Sequence, residues 1–435
     1  MSRPGTIFAP ATPPGRAALG VVRISGPKAA HCCAVLTGRD VPAPRQAALR
    51  RLRDGVGEAF DQALILWFPG PRSETGEDML EIQHHGGEAV RATLLDILGG
   101  IEGLRPAEPG EFGRRAFLAG KLGLTAVEGL ADLVDATTRA QARQALRQLE
   151  GGLERLYTSW RERTLQALAR IEAEIDFAAD EDVPEEMRAR MLPDVTALQA
   201  EILAHLHDGH RGERLRSGIT VAVIGPPNAG KSSLVNLLAR RDAAIVTPFA
   251  GTTRDVIEVP LDLDGIPVTL LDTAGLRETG DPIEIEGIRR ARHRAETADL
   301  TLGVLDCAMP DQDPFTNAPD ILVANKCDLA PSRWPSALTF SCEEGIGLQE
   351  LRAKLTEAAY GLASVGDAPL ITRGRHRHEL ETASAALQRF CDGPAELVLM
   401  AEDLRTATQA LGRITGAVSV EDVLDRIFAE FCIGK

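Results

Sequence analysis

A chain of 435 residues, 44% hydrophobic and 26% charged, is too long for one small module and too apolar for a disordered chain. With 48 Lys and Arg against 63 Asp and Glu, its formal charge of −15 argues against a general nucleic-acid coat, though not against one local basic contact patch. The seven cysteines include no C-x-x-C pair, which argues for a reducing compartment and against a zinc site.

Apolar runs such as Ile219–Ile224 are strand-sized, well short of the ~20 residues that span a bilayer. Met1–Gly20 carries Pro4, Pro10, Pro13 and Pro14 and no apolar core of a signal peptide. The expectation is a soluble cytoplasmic protein with no membrane span. In chain order, segment 1–121 alternates short apolar runs with turn residues: Leu19–Ile24 before Ser25-Gly26-Pro27, and Ala63–Phe68 before Pro69-Gly70-Pro71. With a helical stretch near Val90–Leu98, this predicts an α+β domain. Segment 122–216 reads as helix: Leu146, Leu149, Leu153, Leu156 and Trp160, then Leu165, Leu168, Ile171 and Ile175, recur at three- and four-residue steps. The acidic stretch Asp176, Asp180, Glu181, Asp182, Glu185 and Glu186, with Pro184, reads as a solvated turn between helices.

In segment 217–368 strands and helices alternate, as in a doubly wound α/β domain. Segment 369–435 returns to helix and ends in Val420–Phe431, with Val423, Leu424, Ile427, Phe428 and Phe431 on one face. Helix on both sides suggests an α/β unit inserted in an all-α domain. His205, His207 and His210, with His376 and His378, flank that unit, and without a fourth ligand at fixed spacing they read as solvated helix ends rather than a metal site.

The chemistry begins where Ile219–Ile224 runs into Gly225-Pro226-Pro227-Asn228-Ala229-Gly230-Lys231-Ser232, followed by the helical pattern Ser233–Ala239. This is G-x-x-x-x-G-K-S between a strand and a helix: backbone N–H groups turn onto phosphates, Lys231 reaches the β- and γ-phosphates, and Ser232 ligates Mg²⁺. Val268–Leu271 then delivers Asp272-Thr273-Ala274-Gly275, an acidic second element for Mg²⁺ and a glycine that senses the γ-phosphate. Ile321–Ala324 delivers Asn325-Lys326-Cys327-Asp328, whose aspartate accepts two hydrogen bonds from guanine's N1–H and 2-amino group, so the nucleotide is GTP. Ser341-Cys342-Glu343 stands where such domains carry Ser-Ala-Lys or Ser-Ala-Arg, departing at Cys342 and Glu343. After Gly275 comes Leu276, where Ras-like proteins have the water-positioning Gln. Hydrolysis then needs another polar group. Glu284 is the candidate, against a plain surface carboxylate, while Arg254 and Arg277 are each either a finger or a solvated residue.

Ala243–Thr247 through Gly251-Thr252-Thr253-Arg254-Asp255 resembles the switch I of the TrmE–Era–EngA GTPases. Thr12-Pro13-Pro14-Gly15-Arg16, Val22-Arg23-Ile24-Ser25-Gly26, Phe68-Pro69-Gly70-Pro71, Thr75-Gly76-Glu77-Asp78 and the final Phe431-Cys432-Ile433-Gly434-Lys435 resemble the MnmE (TrmE) family of bacterial tRNA uridine-modification GTPases. The resemblance covers nearly the whole chain. It implies a folate-binding N-terminal domain that dimerises, and a helical domain carrying an inserted G domain. It also implies an FAD-containing MnmG partner in a heterotetramer or larger assembly, and a tRNA substrate. The implied reaction is K⁺-activated GTP hydrolysis that drives addition of an aminomethyl-type group to C5 of the wobble uridine, from 5-formyl- or 5,10-methylene-tetrahydrofolate.

Residue by residue, the resemblance places GTP on Asn228, Ala229, Gly230, Lys231, Ser232 and Ser233, then on Thr247, Pro248, Phe249, Ala250, Gly251, Thr252 and Thr253. Asp272, Thr273, Ala274 and Gly275 follow, with Asn325, Lys326, Asp328, Ser341, Cys342 and Glu343 around the base. It places Mg²⁺ on Ser232 and Thr253, and K⁺ on Asn228, Thr247, Phe249 and Thr252. Glu284 orients water, with Lys231 and Arg277 as further catalytic candidates; Cys432 is a nucleophile or a buried thiol. Arg23, Glu81, Lys121 and Lys435 take the folate. Two departures stand out: Pro248 stiffens switch I, and His84 replaces a family glycine, which predicts a changed backbone approach near the folate pocket. The cluster Arg373, Arg375 and Arg377 is the candidate tRNA contact. The competing reading is a regulatory ribosome-assembly GTPase of the Era/EngA type, against which stands the lack of a basic GXXG-bearing segment. A folate enzyme with purely structural GTP is the third.

Overall fold

The computed structural model describes residues 5–177, 183–242, 257–272, 296–309, 315–363, 370–394, 396–418, 421–429, 431 and 434. The chain forms two compact units, 1–131 with 412–435, and 132–411.

In the first unit, β1 (Thr6–Pro10), β2 (Leu19–Ser25), β3 (Ala48–Arg53), β4 (Ala59–Phe68), β5 (Met79–His85) and β6 (Leu104–Pro106) form one sheet in the order β3-β4-β5-β2-β1-β6. Its pairs are antiparallel except β1 with β6. Side chains alternate across a pleated strand, so Val22 and Ile24, Ile65 and Trp67, and Leu80 and Ile82 all point to one face. There they pack under helices Ala29–Thr37 and Glu88–Gly100, which contribute Cys32, Cys33, Leu36, Leu94 and Leu98. Each such large apolar side chain contributes about 1.5–3 kcal/mol by leaving water. The opposite face carries a smaller cluster of Ile7, Ala9, Met79, Ala107 and Phe112, and beside it the polar residues discussed below. The last helix, Glu421–Ala429, buries Leu424, Ile427 and Phe428, with Phe431, against Leu124 and Val127 of this unit.

The second unit is built on β7 (Ile219–Ile224), β8 (Ile257–Leu263), β9 (Ile266–Asp272), β10 (Leu300–Asp306), β11 (Ile321–Asn325) and β12 (Leu338–Thr339), in the order β12-β11-β10-β7-β9-β8. Only β8 runs antiparallel, to β9. The β-branched run 219–224 is β7 itself, and helices Lys231–Asp242 and Leu348–Ala363 pack on the sheet through Leu234, Val235, Leu238, Leu351 and Leu355. A parallel sheet covered on its faces needs near-continuous apolar strands, which β7, β10 and β11 supply.

The helices before and after the sheet do pack together. Helix Gly374–Asp392 lies along helix Val183–Leu206, where Gln199 bonds Gln388 and Arg188 bonds the Cys391 carbonyl. The apolar spacing from Leu146 to Trp160 is divided between two helices, Arg139–Leu149 and Gly152–Phe177. Thr138 and Gln141 form a capping box at the start of the first, satisfying N–H groups that have no partner inside a helix. Leu153, Trp160, Leu168 and Ile171 of the second helix are buried, whereas Leu146 of the first and Leu165 of the second are exposed. Helix Val183–Leu206 begins one residue before Pro184, which sits in its first turn, where a missing N–H costs nothing.

Candidate functional site

The loop that leaves β7 meets the carboxyl end of β11, and Asp272, the last residue of β9, lies beside it. Gly230 has φ +94, and a Cβ there would sit 2.2 Å from Asn325 Nδ2, so the phosphate loop and the base-reading loop touch at a position only glycine fits. Asn325 is the tie: Nδ2 donates to the Ala229 carbonyl at 2.8 Å, and Oδ1 accepts from the Cys342 N–H at 3.2 Å. One buried side chain thus joins the end of β11 to the loop at Ala229 and to the segment at Cys342. Asp328 accepts from Ser341 Oγ at 2.6 Å, which fixes one carboxylate oxygen, and Lys326 pairs with buried Asp306 at 2.6 Å. Sequence reasoning missed Asp306; its signal was an aspartate closing an apolar strand, the same pattern as Asp272.

Lys231 is buried, and its Nζ donates to the carbonyls of Gly225 and Pro226, both at 2.9 Å. Burial lowers its pKa, an effect that nearby Asp272 opposes. Ser232 Oγ donates to Asp272 Oδ2 at 2.6 Å. A hydroxyl and a carboxylate together are the hard oxygen donors that suit Mg²⁺. Asn228, at φ +64, holds an exposed carboxamide, and Ser233 is exposed on the first turn of the following helix. Burial pushes the Cys342 thiol up to about 11, and its Sγ lies 4.0 Å from the Gly230 carbonyl. Glu343 is exposed. Thr247, Pro248, Phe249, Ala250, Gly251, Thr252, Thr253, Thr273, Ala274, Gly275, Leu276, Arg277, Glu284, Cys432 and Lys435 lie outside the described residues, as does Arg254.

A second polar centre lies in the first unit. Arg23 and Glu81 are directly opposed on β2 and β5, and their side chains pair at 3.0 Å. Glu74 reaches the same guanidinium at 3.2 Å. Glu74 belongs to a loop tied down by Ser25, whose hydroxyl meets Thr75 Oγ1 at 2.8 Å and donates to Glu77 at 2.7 Å. Arg115 holds Glu77 in turn, at 2.7 Å. The Lys121 stem passes this loop: a Cβ on Gly76 would lie 3.5 Å from Lys121 Cε. From the C-terminal end, Gly434 is buried at φ +103, with room for no Cβ, since one would meet the Pro10 carbonyl at 2.1 Å. Pro10 is next to Ala9, the strand partner of Arg23. So the Arg23–Glu81 pair sits on two central strands, with the Lys121 stem against the neighbouring loop and the penultimate residue against the end of β1. Glu74 was not foreseen, because only the folded loop brings it to Arg23.

Two sequence expectations change. His84 is opposite Gly20 on the helix-covered face, its ring filling the space that the glycine leaves: a Cβ on Gly20 would be 2.6 Å from His84 Cε1. Its side chain therefore points away from Arg23 and Glu81, by the two-residue alternation of a strand. His205 and His376 are not solvated helix ends. Both pack edge-on against Tyr157, and Tyr157 Oη lies 3.1 Å from His205 Nε2. Among the described residues no group of three or more His, Cys, Asp or Glu is placed to hold a metal. The Arg373 cluster also has internal work: Arg373 pairs with Asp132 at 2.7 Å, and Arg377 with Asp208 at 2.7 Å and Glu213 at 3.0 Å, which commits both to ion pairs within the unit. Among the described residues no helix is long and apolar enough to cross a membrane.

Comparison with known proteins bears on both centres. The family model "GTP-binding protein TrmE N-terminus" matches residues 6–121, and "MnmE helical domain" matches 124–432. The chain is 53% identical to the tRNA modification GTPase MnmE of Rhodospirillum rubrum over 99% of both chains. It is 52% identical to the MnmE of Parvibaculum lavamentivorans, over 99% of this chain and 100% of that one. The MnmE of a Methylobacterium species is likewise 52% identical over 99% of each.

Proposed function

The chain belongs to the MnmE family, and from that premise we propose that it is a GTP hydrolase acting in tRNA modification. The observation that carries this reading is the Asn325 tie, which holds a phosphate loop and an aspartate suited to guanine in one rigid frame. Asp328, with one oxygen already fixed by Ser341, presents a carboxylate to guanine's N1–H and 2-amino donors, an arrangement that adenine cannot match. Lys231 rests on two carbonyls, and exchanging them for phosphate oxygens strengthens the interaction because those oxygens carry a full negative charge and Lys231 itself is buried. Ser232, beside Asp272 and with Thr253, would hold Mg²⁺, and the exposed Asn228 carboxamide, with Thr247, Phe249 and Thr252, would hold K⁺. Both cations supply positive charge at the phosphates when bound, the task an arginine finger performs elsewhere. Glu284 orients the attacking water in place of a glutamine.

In the first unit, Arg23 and Lys121, with Lys435, offer cations to the carboxylates of a tetrahydrofolate tail, and Glu81 accepts from the pterin edge. The one-carbon unit is destined for C5 of the wobble uridine of tRNA. The chain works in the cytoplasm as a homodimer with an FAD-containing partner of the MnmG type. GTP turnover measured in KCl and in NaCl at equal ionic strength tests the cation reading. The rate is at least about tenfold higher in KCl, and Asn228→Ala removes the difference; equal wild-type rates in the two salts would exclude it.

A further inference from the structure

With Arg373 and Arg377 committed to ion pairs, the acidic chain still needs a surface for a polyanion. Helix Arg139–Leu149 supplies one. Between Asp135 and Glu150 the sequence has no carboxylate and three arginines, Arg139, Arg143 and Arg147, each four residues apart. The helix buries Ala140, Gln144, Ala145 and Gln148, which turns Arg139 and Arg143 outward, where both are exposed. Neither of those two has a hydrogen bond or ion pair among the described residues, whereas Arg163, Arg214, Arg216, Arg373, Arg377 and Arg405 of the same unit all do.

We propose that this arginine row is the surface on which the chain holds the phosphate backbone of its tRNA. The inference rests on the tRNA-modification reading above. Four residues of α-helix rise about 6 Å, comparable to the step between neighbouring phosphates of one strand, so successive guanidinium groups meet successive phosphates. Each guanidinium can bind a phosphate through two parallel N–H donors. Surrounding charge does not cancel the row. Asp132 lines the adjoining groove with Gln141 and Gln144 and is shared by Arg216 and Arg373, a trio with net positive charge; Asp135 in the same groove offsets one charge. Leu146 is exposed on the same face, one residue before Arg147 and three after Arg143.

The test is binding of an unmodified tRNA transcript to the full-length chain as a function of salt concentration. Arg139→Gln with Arg143→Gln weakens binding about tenfold or more near ~0.1 M salt and lowers the slope of log K against log salt by about 2, one for each lost phosphate contact. GTP turnover and the thermal midpoint stay at wild-type values, because both side chains face water. Leu146→Lys, which adds a cation to the face, tightens binding and steepens the slope by about 1. Wild-type affinity and slope in the double variant, with no gain in Leu146→Lys, overturn the row as the contact while leaving the tRNA reading in place. No salt-sensitive tRNA binding by the wild-type chain overturns the tRNA reading and the row with it.

Discussion

Asp328 and Asn325 show what a short motif makes legible. The pattern Asn325-Lys326-Cys327-Asp328 closing an apolar strand already identified guanine as the base, because the chemistry sits within four neighbouring residues. What it could not give is the support: Ser341 bonded to Asp328 and Ala229 bonded to Asn325 come from distant loops that only the sheet order assembles. Removing the charge tests the role of Asp328. Asp328→Asn loses two charge-assisted hydrogen bonds to guanine, each about 1.5–3 kcal/mol, so GDP affinity falls by at least about 100-fold in a fluorescence titration. A change of less than tenfold would mean that the base is read elsewhere. The Arg23–Glu81 pair follows the same logic. The family resemblance named both residues, but the strand order that opposes them was hidden from the sequence. Arg23→Ala removes the cation from a centre already carrying Glu74 and Glu81, and calorimetry with 5-formyl-tetrahydrofolate should show binding weakened at least tenfold, about 1.4 kcal/mol.

At the scale of elements, β7, β9 and β11 were readable as strands because each is an apolar run that stops at a functional residue. The helical segments were harder. Three- and four-residue spacing identifies helix but does not register a break, and so Leu146 and Trp160 fell on different helices. Spacing is equally blind to what covers a histidine. Desolvation among Tyr157, Trp160 and His376 pushes His205 down to about 4, with Arg377 and His376 acting in the same direction and Asp208 against them. In the unfolded chain the ring protonates near its ordinary 6.5, so acid favours unfolding. The full contribution is present above pH 6.5 and is lost as pH falls toward 4, about 3 kcal/mol in all. His205→Gln keeps a partner for Tyr157 and removes the titrating ring, so its unfolding free energy declines less than that of wild type between those two values. Parallel curves would place the acid sensitivity elsewhere. A backbone prediction also belongs here. Gly230→Ala drives a methyl into Asn325 and strains a left-handed residue, so nucleotide affinity is lost in a GDP titration while the circular dichroism of the sheet and its helices is retained.

For the whole molecule, two polar centres lie in two compact units of one chain, one shaped for a guanine nucleotide and one gathered where the penultimate residue meets the first strand. The sequence separated the α+β start from the inserted α/β unit by texture, since strand-and-turn and strand-and-helix patterns differ in period. It also announced the terminal motif, though not that Gly434 packs on Pro10, a contact between opposite ends of the chain. GTP hydrolysis by this chain serves tRNA modification. Its most direct test is mass-spectrometric analysis of tRNA nucleosides from cells lacking the chain, complemented with wild type or with Lys231→Ala. A C5-modified wobble uridine is lost without the chain, recovered with wild type and not recovered with Lys231→Ala. An unchanged nucleoside profile in the deleted cells would contradict it.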